Sequence, residues 1–340
     1  MMSTKRYRTS GLAALLAALL VVVIGAGQLI ITKMPGRSFR GPLAALSDEQ
    51  IALEARLRAH VETLAARIGE RNLIHHSALA RAAQYIDDTL AAAGYRSQSQ
   101  EFYVQGKPVR NIEVELTGTE PSRGIVLVGA HYDSVAGSPG ANDNGTGVAA
   151  VLELARALKS HRLRRSVRLV AFVNEESPFF YSDAMGSLRY ATRMAERGEE
   201  LVAMLSLETI GYYSDDAGSQ RYPFPLRFFY PDTGNFIGFV GNLRSKALVR
   251  RAVRSFREHA RFPSEGLAAP GWLTGVGWSD HWSFWQAGFP AIMVTDTALF
   301  RYRQYHTPAD HPGIVDYGRF ARVVEGLVKV VIDLADGDVP

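Results

Sequence analysis

Residues 125–147 read IVLVGAHYDSVAGSPGANDNGTG, and this stretch decides the fold class. Its first six residues are apolar without interruption, which is typical of a strand buried on both faces of a sheet. Polar residues begin at His131, and a Gly-rich turn region carries Asp143. The amphipathic pattern of Gly147–Lys159 then predicts a helix. A buried strand followed by a helix indicates an α/β fold with a mostly parallel sheet.

The same alternation continues along the chain. Further strands are predicted at Asn111–Thr117, Val167–Val173, Val202–Leu207 and Ala291–Thr295. Further helices are predicted at Ser47–Ile68, Ser77–Ala93 and Phe320–Leu334. The first of these helices begins with a capping box, in which Ser47 and Gln50 satisfy each other's backbone amides. Together these elements predict one α/β domain over residues 47–340.

Polar side chains that can bind a metal follow the predicted strands. They are His131, Asp133, Asp143, Glu175, Glu176, Glu208 and His306. Because open α/β sheets place their sites at the carboxyl ends of the strands, we expect these side chains to lie together. Imidazole and carboxylate groups, in a chain without cysteine, suit zinc or a similar divalent ion in a catalytic site. Glu175 and Glu176 are adjacent, so one can bind metal while the other acts as general base.

Five motifs, in this order, resemble the co-catalytic zinc aminopeptidases, the superfamily of aminopeptidase Y, bacterial leucyl aminopeptidases and glutaminyl cyclases. They are His131-Tyr132-Asp133-Ser134, residues 140–145 (GANDNG), Asn174-Glu175-Glu176, residues 207–211 (LETIG) and Tyr305-His306-Thr307-Pro308. The resemblance covers nearly the whole chain after its N-terminal region. It implies a three-layer sandwich with a central, mostly parallel mixed sheet, of the phosphorylase/hydrolase-like zinc-peptidase type.

The resemblance also implies the composition of the site. The implied metal ligands are His131, Asp143, Glu176, Glu208 and His306. Asp143 would bridge two Zn²⁺ ions, of which one or both are bound, with another divalent metal as the alternative. Glu175 would be the general base for a metal-activated water, and Asp133 would orient His131. A cis peptide bond is implied directly after the bridging acid, at Asp143–Asn144.

Two departures from the family pattern affect the site. Glu208 occupies a position that is commonly Asp in the family, and its longer side chain can change the metal spacing. Residues 177–184 are inserted between the Glu pair and Gly186-Ser187. We hypothesise that this insertion reshapes the substrate pocket without changing metal binding.

Three further residues are candidates for the surroundings of the site. Asp280 and His281 form a pair that recurs in the family and could contact either a metal ligand or the substrate. A helix cap explains the same pair equally well. Tyr212 is a tentative pocket residue, for which packing in the pocket wall or core is the alternative.

The resemblance implies a zinc-dependent exopeptidase, and specifically an aminopeptidase that hydrolyses the N-terminal bond of a peptide or aminoacyl substrate. One alternative is a glutaminyl-peptide cyclotransferase, which uses a related site with a single zinc. The other is a non-catalytic binding ectodomain, which is expected to have lost metal ligands. All the implied ligands are present in this chain.

The N-terminal region is predicted to interact with a membrane. A basic tail, residues 1–10, precedes 22 uncharged residues at 11–32, and a Pro- and Gly-containing linker, residues 33–46, follows. The uncharged run is long enough for a transmembrane helix, and a cleaved signal peptide is the alternative. We expect an anchored domain on the outer side of the cytoplasmic membrane, or a secreted one if the segment is removed.

The charge distribution argues against a nucleic-acid partner. The chain has 38 basic and 34 acidic residues, a formal charge of +4. The first 40 residues hold six basic residues and no acid, so residues 41–340 carry 32 basic and 34 acidic residues. A nearly neutral domain lacks the basic excess that nucleic-acid binding requires.

Overall fold

Eight strands form one central sheet in the computed structural model, which describes residues 32–337. The strands are β1 (Gln98–Val104), β2 (Lys107–Leu116), β3 (Ile125–His131), β4 (Ser166–Phe172), β5 (Leu201–Glu208), β6 (Ile237–Gly241), β7 (Ser264–Ala268) and β8 (Ala291–Thr295). Their order across the sheet is β1-β2-β4-β3-β5-β8-β6-β7. The four central strands β4, β3, β5 and β8 run parallel, which confirms the predicted mostly parallel mixed sheet.

Helices cover both faces of this sheet. In the described part of the chain they are α1 (Asp48–Val61), α2 (His76–Ala92), α3 (Gly147–Leu158), α4 (Gly186–Glu196), α5 (Lys246–His259), α6 (His281–Gln286) and α7 (Tyr317–Asp336). Two π-helical segments lie at Glu62–Ile68 and Ala141–Thr146, and 3-10 turns lie at Pro121–Arg123, Leu226–Phe228, Ala298–Phe300 and Pro312–Ile314. The apolar faces of α2, α3, α5 and α7 join one core, and those of α4 and α6 join a second core on the opposite face.

The sheet contains elements that periodicity did not predict. The hairpin partner β1 pairs antiparallel with β2, and β6 pairs antiparallel with β8. The short strand β7 then pairs parallel with β6 at the edge. The predicted capping box of α1 is confirmed, because Ser47 Oγ accepts from the Gln50 amide and the Gln50 side chain accepts from the Ser47 amide.

The predicted membrane segment falls almost entirely outside the described residues. Only Thr32 of residues 11–32 is described. Among residues 32–337, no helix combines the length and apolar character needed to cross a bilayer. The N-terminal anchor therefore remains a prediction from sequence.

Strand β3 lies in the middle of the sheet and is buried at every residue, as its apolar run predicts. Gly129 of β3 allows the Phe172 ring of the neighbouring strand to pack against the backbone, since a β-carbon there would lie 2.3 Å from that ring. This close packing brings the ends of β3 and β4 together. The polar residues that follow both strands consequently start from adjacent positions.

Glu153, on the buried side of α3, joins that helix to α1. Its Oε2 accepts hydrogen bonds from Nε of Arg56 and of Arg156, both at 2.9 Å, and His60 Nε2 lies 3.5 Å from its Oε1. Burial alone would raise the pKa of this carboxyl, but the hydrogen bonds from His60 and the two arginines outweigh it and lower the pKa to about 2. The charged form of Glu153 is therefore the one that the fold stabilises.

We expect Glu153→Gln to lower the free energy of unfolding by about 1–3 kcal/mol at pH 7, because it removes a buried, hydrogen-bonded charge. The folded pKa lies below the unfolded value, so this stabilisation is present above pH 4.5 and is lost as the pH falls towards 2. Urea unfolding of both proteins at pH 7 and pH 4 measures the effect. A difference that does not shrink at the lower pH would contradict it.

Candidate metal site

The polar residues that follow the central strands meet at one edge of the sheet. His131 is the last residue of β3 and Glu208 is the last residue of β5, its neighbour in the sheet. Glu175 and Glu176 follow β4, and His306 lies in the loop after β8. Parallel strands thus deliver side chains from four separate parts of the sequence to one place.

These residues form two clusters that share Asp143. The first consists of His131, Asp143 and Glu208, and the second of Asp143, Glu176 and His306; in each, three ligand atoms lie within 4.8 Å of one another. His131 Nε2 is 3.3 Å from Asp143 Oδ1 and 3.3 Å from Glu208 Oε2. His306 Nε2 is 3.0 Å from Asp143 Oδ2 and 3.3 Å from Glu176 Oε2. The structure therefore brings together all five residues that the sequence predicts as ligands.

The donor atoms of these clusters fit a metal ion. His131 Nε2 and both carboxylate oxygens of Asp143 are buried and have no hydrogen-bond partner among the described residues. Buried polar atoms are almost always paired, so three unpaired atoms within the two clusters indicate a missing partner. Imidazole nitrogen and carboxylate oxygen are the ligands that zinc accepts in catalytic sites.

Asp133 orients its neighbours in two ways. His131 Nδ1 lies 3.2 Å from the backbone oxygen of Asp133 and 3.6 Å from its carboxylate, so the orienting acceptor is the backbone oxygen rather than the expected side chain. Because a carbonyl only accepts, Nδ1 carries the proton and Nε2 presents its lone pair to the cluster. The Asp133 carboxylate instead accepts from the amides of Glu175 and Glu176, each at 3.1 Å.

The two adjacent glutamates have different surroundings. Glu176 Oε1 accepts from the Val135 amide at 3.1 Å while its other oxygen faces His306. The nearest Glu175 oxygen lies 3.8 Å from His131 Nε2. Burial raises the pKa of Glu175 well above its usual range; the charge on His131 opposes this effect, and the carboxylates of Glu208 and Glu176 add to it. A carboxyl with a raised pKa can both accept and donate a proton near neutral pH.

The backbone at Asp143 is held by hydrogen bonds to the side chain of Asp310. The Asp143–Asn144 peptide bond is cis, which confirms the prediction. The Asp143 amide donates to Asp310 Oδ2 at 3.1 Å, and the Asn142 amide donates to Asp310 Oδ1 at 2.9 Å. Asp310 lies four residues after His306 and so ties the loop of one ligand to the loop of another.

Arg71 is a second supporting residue that sequence reasoning missed. Its guanidinium is fully buried and donates to the backbone oxygens of Tyr132 (2.7 Å), Pro139 (2.6 Å) and Gly140 (2.8 Å). Burial lowers the pKa of Arg71 to about 10, and the nearby carboxylates oppose this effect. Arg71 thereby closes the loop between His131 and Asp143, but no pattern around it in the sequence signals this role.

The tentative residues Asp280 and His281 differ in their surroundings. Asp280 begins α6 without a capping hydrogen bond, and neither of its buried carboxylate oxygens has a partner among the described residues. Burial raises the pKa of Asp280 to about 7. His281 turns away, with Nε2 2.8 Å from the Val276 oxygen and its ring against Trp285. His281 therefore packs in the core, and neither residue belongs to the two clusters.

Tyr212 contacts the site only indirectly, through a series of aromatic rings that ends at His306. It stacks on Tyr302 (5.2 Å between centroids), which meets Tyr305 edge to face, and Tyr305 stacks on the His306 imidazole at 3.8 Å. Tyr212 thus belongs to the wall behind His306. Asn174, Thr209 and His306 adopt positive φ angles of 59°, 47° and 59°, and this unusual backbone aims the ligands at the site.

An apolar cavity of ≈ 100 Å³ opens beside Glu208 and Tyr305. Its lining includes Leu226, Phe236, Phe239, Val276, Met293 and Phe300. Residues of the 177–184 insertion do not line this cavity. Tyr181 of the insertion instead stacks on Phe180 and packs at a tilt against Trp282, and it lines a separate cleft with Trp272 and Trp285.

Known proteins resemble this chain in sequence and in fold. The model of peptidase family M28 matches residues 111–331. The uncharacterized protein YfbL of Escherichia coli is 37% identical over 263 residues, which are 74% of this chain and 80% of YfbL. Two solved structures share the fold: BSAP, a zinc aminopeptidase from Bacillus subtilis (16% identity, TM-score 0.67, 84% of this chain and 95% of BSAP), and a glutaminyl cyclase from Porphyromonas gingivalis (19% identity, TM-score 0.60, 82% and 97%).

We expect Asp143→Asn to reduce bound zinc to less than about a tenth of the wild-type content, because both clusters lose their shared anionic ligand. Asp280→Asn is a matched control, since Asp280 is also a buried aspartate but belongs to neither cluster. The zinc-to-protein ratio after gel filtration, measured by mass spectrometry, distinguishes the two. Full zinc content in Asp143→Asn would contradict the assignment.

Proposed function

The chain belongs to peptidase family M28, and on that basis we propose that it is a zinc-dependent aminopeptidase. Peptide hydrolysis follows from the family, and the imidazole and carboxylate donors of the two clusters support zinc as the metal. The observation that carries the finer proposal is the pair of complete ligand clusters on either side of Asp143, with Glu175 beside them.

We assign the residues as follows. His131, Asp143 and Glu208 would hold one zinc ion, and Asp143, Glu176 and His306 a second, with one or both bound during turnover. Zinc in such a site supplies Lewis acidity, which acidifies water and polarises the scissile carbonyl. Asp133 and Asp310 keep these ligands in place through their backbone hydrogen bonds.

Glu175 is the proposed proton carrier. Its carboxylate takes a proton from the attacking water, holds it while the tetrahedral intermediate forms, and gives it to the amine that leaves. The raised pKa that burial imposes suits both halves of this task, because it brings proton affinity closer to neutral pH. The oxygen of Glu175 lies 3.8 Å from His131 Nε2, close to the cluster without being part of it.

The apolar cavity is the proposed pocket for the N-terminal side chain of the substrate. It begins at Glu208, which belongs to the first cluster, and its wall is formed mainly by aliphatic and aromatic side chains. A cavity of this size and character favours a leucine-like residue over a charged one. A scissile bond positioned at the clusters leaves the preceding side chain beside this opening.

Glutaminyl cyclisation is the alternative that an assay must separate from hydrolysis. The glutaminyl cyclase neighbour shares the fold, and at 19% identity the likeness says nothing about the reaction. A cyclase of this kind needs one zinc, whereas both clusters are complete in this chain. Incubation with a glutaminyl peptide and with a leucyl peptide distinguishes loss of ammonia from release of the first residue.

We also propose that residues 11–32 anchor the chain in a membrane, with the peptidase domain on the extracytoplasmic side. The support is the sequence, in which 22 uncharged residues are flanked by basic ones. Removal of the segment as a signal peptide would give a secreted enzyme instead. Mass measurement of the mature N-terminus distinguishes the two forms.

Glu175→Gln should retain its zinc while kcat falls by about 10²–10⁴-fold, because the amide cannot carry the proton. Glu196→Gln, at an exposed position of α4, is the control. Initial rates with a leucyl peptide and the zinc content of the same samples provide the measurement. Turnover at the wild-type rate would refute the role of Glu175.

Val240→Phe should lower kcat/KM for leucyl and phenylalanyl substrates by about tenfold or more and that for alanyl substrates much less, because the added ring occupies the cavity. Val202→Phe, outside the cavity lining, is the matched control. A uniform loss for all substrates would place the side-chain pocket elsewhere.

A further inference from the structure

Residues 33–38, predicted as a linker, are bound along helix α5. Four hydrogen bonds hold them: from Arg250 to the Lys33 oxygen, from Arg257 Nη1 to the oxygens of Pro35 (3.0 Å) and Gly36 (3.4 Å), and from the Ser264 amide to Ser38 Oγ (2.9 Å). Met34 also packs on Gly266, where a β-carbon would lie 2.8 Å from its side chain. The domain is therefore attached directly to the residues that follow the proposed anchor.

Followed from Ser38 back to Lys33, this segment runs away from the metal site. Strands β6 and β7 run opposite to β8, so they begin on the side of the sheet that holds the metal site. Helix α5 connects the end of β6 to the start of β7. It therefore begins on the side away from the metal site and ends on the side of the site. Ser38 lies beside the first residue of β7, at the site edge. Lys33 lies beside Arg250, in the second turn of α5. The chain consequently enters the domain from the edge opposite the metal site.

Basic residues are concentrated along α5 and the segment bound to it. Residues 244–261 contain seven arginines and lysines and one acid, Glu258. Residues 32–47 add Lys33, Arg37 and Arg40 without any acid. The remainder of the domain must then carry an acidic excess, because residues 41–340 as a whole hold 32 basic and 34 acidic residues. The positive charge thus belongs to one region and not to the surface in general.

These basic groups are available to an external partner. Among residues 32–337, the one arginine or lysine of α5 that pairs with a carboxylate is Arg257, at 3.7 Å from Glu265. Arg244, Arg254 and Lys33 are exposed. Exposed cations without carboxylate partners attract an anionic surface.

We propose that the amino-terminal end of α5, with Lys33, rests on a bilayer surface that contains anionic lipid headgroups. Lys33 directly follows the uncharged residues 11–32, so an anchor formed by them places Lys33 at the membrane surface. Arg250 binds Lys33, and Arg244 and Lys246 stand at the start of the same helix. Their charges then fall within about 10 Å of the lipid phosphates, a distance over which attraction survives physiological salt. This proposal depends on the anchor and not on the peptidase activity.

The absence of cysteine from the chain allows a direct test by site-specific labelling. A fluorophore is attached to full-length Ala247→Cys, exposed in the first turn of α5, or to full-length Ala217→Cys, exposed in the loop between β5 and β6 at the site edge. Each chain is reconstituted into phosphatidylcholine vesicles with or without about 30% phosphatidylglycerol. A nitroxide on the lipid headgroup quenches fluorophores that lie near the surface.

We expect quenching at Ala247→Cys to exceed that at Ala217→Cys by about threefold in anionic vesicles and to fall in pure phosphatidylcholine or about 1 M salt. Combining Arg244→Glu with Lys246→Glu should produce the same fall. The matched control is Arg189→Glu with Arg197→Glu, two exposed arginines near α4 on the opposite face, which should leave quenching unchanged.

Equal quenching at the two labels would overturn the proposal, because it would show a freely tumbling domain. The proposal would also be overturned if quenching at Ala247→Cys changed neither when phosphatidylglycerol is omitted nor when Arg244 and Lys246 are both replaced by Glu. Release of the chain from vesicles by alkaline carbonate would overturn the anchor and this surface together. Hydrolysis of a leucyl peptide by the same samples reports separately on the peptidase proposal.

Discussion

The burial of negative charge at one sheet edge is the constraint on which the rest of the structure depends. The carboxylates of Asp143, Glu175, Glu176 and Glu208 lie almost wholly out of solvent within one small volume. Burial of each ionised group costs several kcal/mol unless a counter-charge compensates for it. The two histidines of the site can compensate for only part of this negative charge. The Asp143 oxygens have no hydrogen-bond partner among residues 32–337. The fold is in this sense built for a cation.

Loops carry most of these carboxylates, and loops are ordinarily mobile. Here, three buried polar side chains hold the loop backbones. Asp133 accepts from the amides of the Glu pair, Asp310 accepts from the amides of Asn142 and Asp143, and Arg71 donates to the carbonyl oxygens of Pro139 and Gly140. Each of these contacts holds main chain and not only side chain, so buried hydrogen bonds tie the ligand loops to one another. A metal ion can then bind without first ordering its ligands.

The central strands and the ligands were predictable because their signals are local. An uninterrupted apolar run identifies β3, and the His and Glu motifs directly follow such runs. Arg71 and Asp310 carry no such signal, since their partners are distant in sequence and meet only in the fold. Strands β6 and β7 are five residues long and contain glycine, so neither gives a recognisable period. The Asp280-His281 pair suggested a site contact because it recurs in the family, and in the fold the His281 ring packs against Trp285.

The attachment of residues 33–38 has a consequence for the solubility of shortened forms of the protein. β7 is an edge strand, and Ser38 occupies the amide at its beginning while Arg257 occupies the oxygen of Ser264 at 2.7 Å. A fragment that begins at α1 would lose Ser38 and Met34 together and uncover both the Ser264 amide and the apolar patch beneath Met34. Uncovered strand edges pair with one another between molecules. The short stretch ahead of the first helix therefore protects the sheet from self-association, and truncation of the chain needs to begin before residue 33 to preserve that protection.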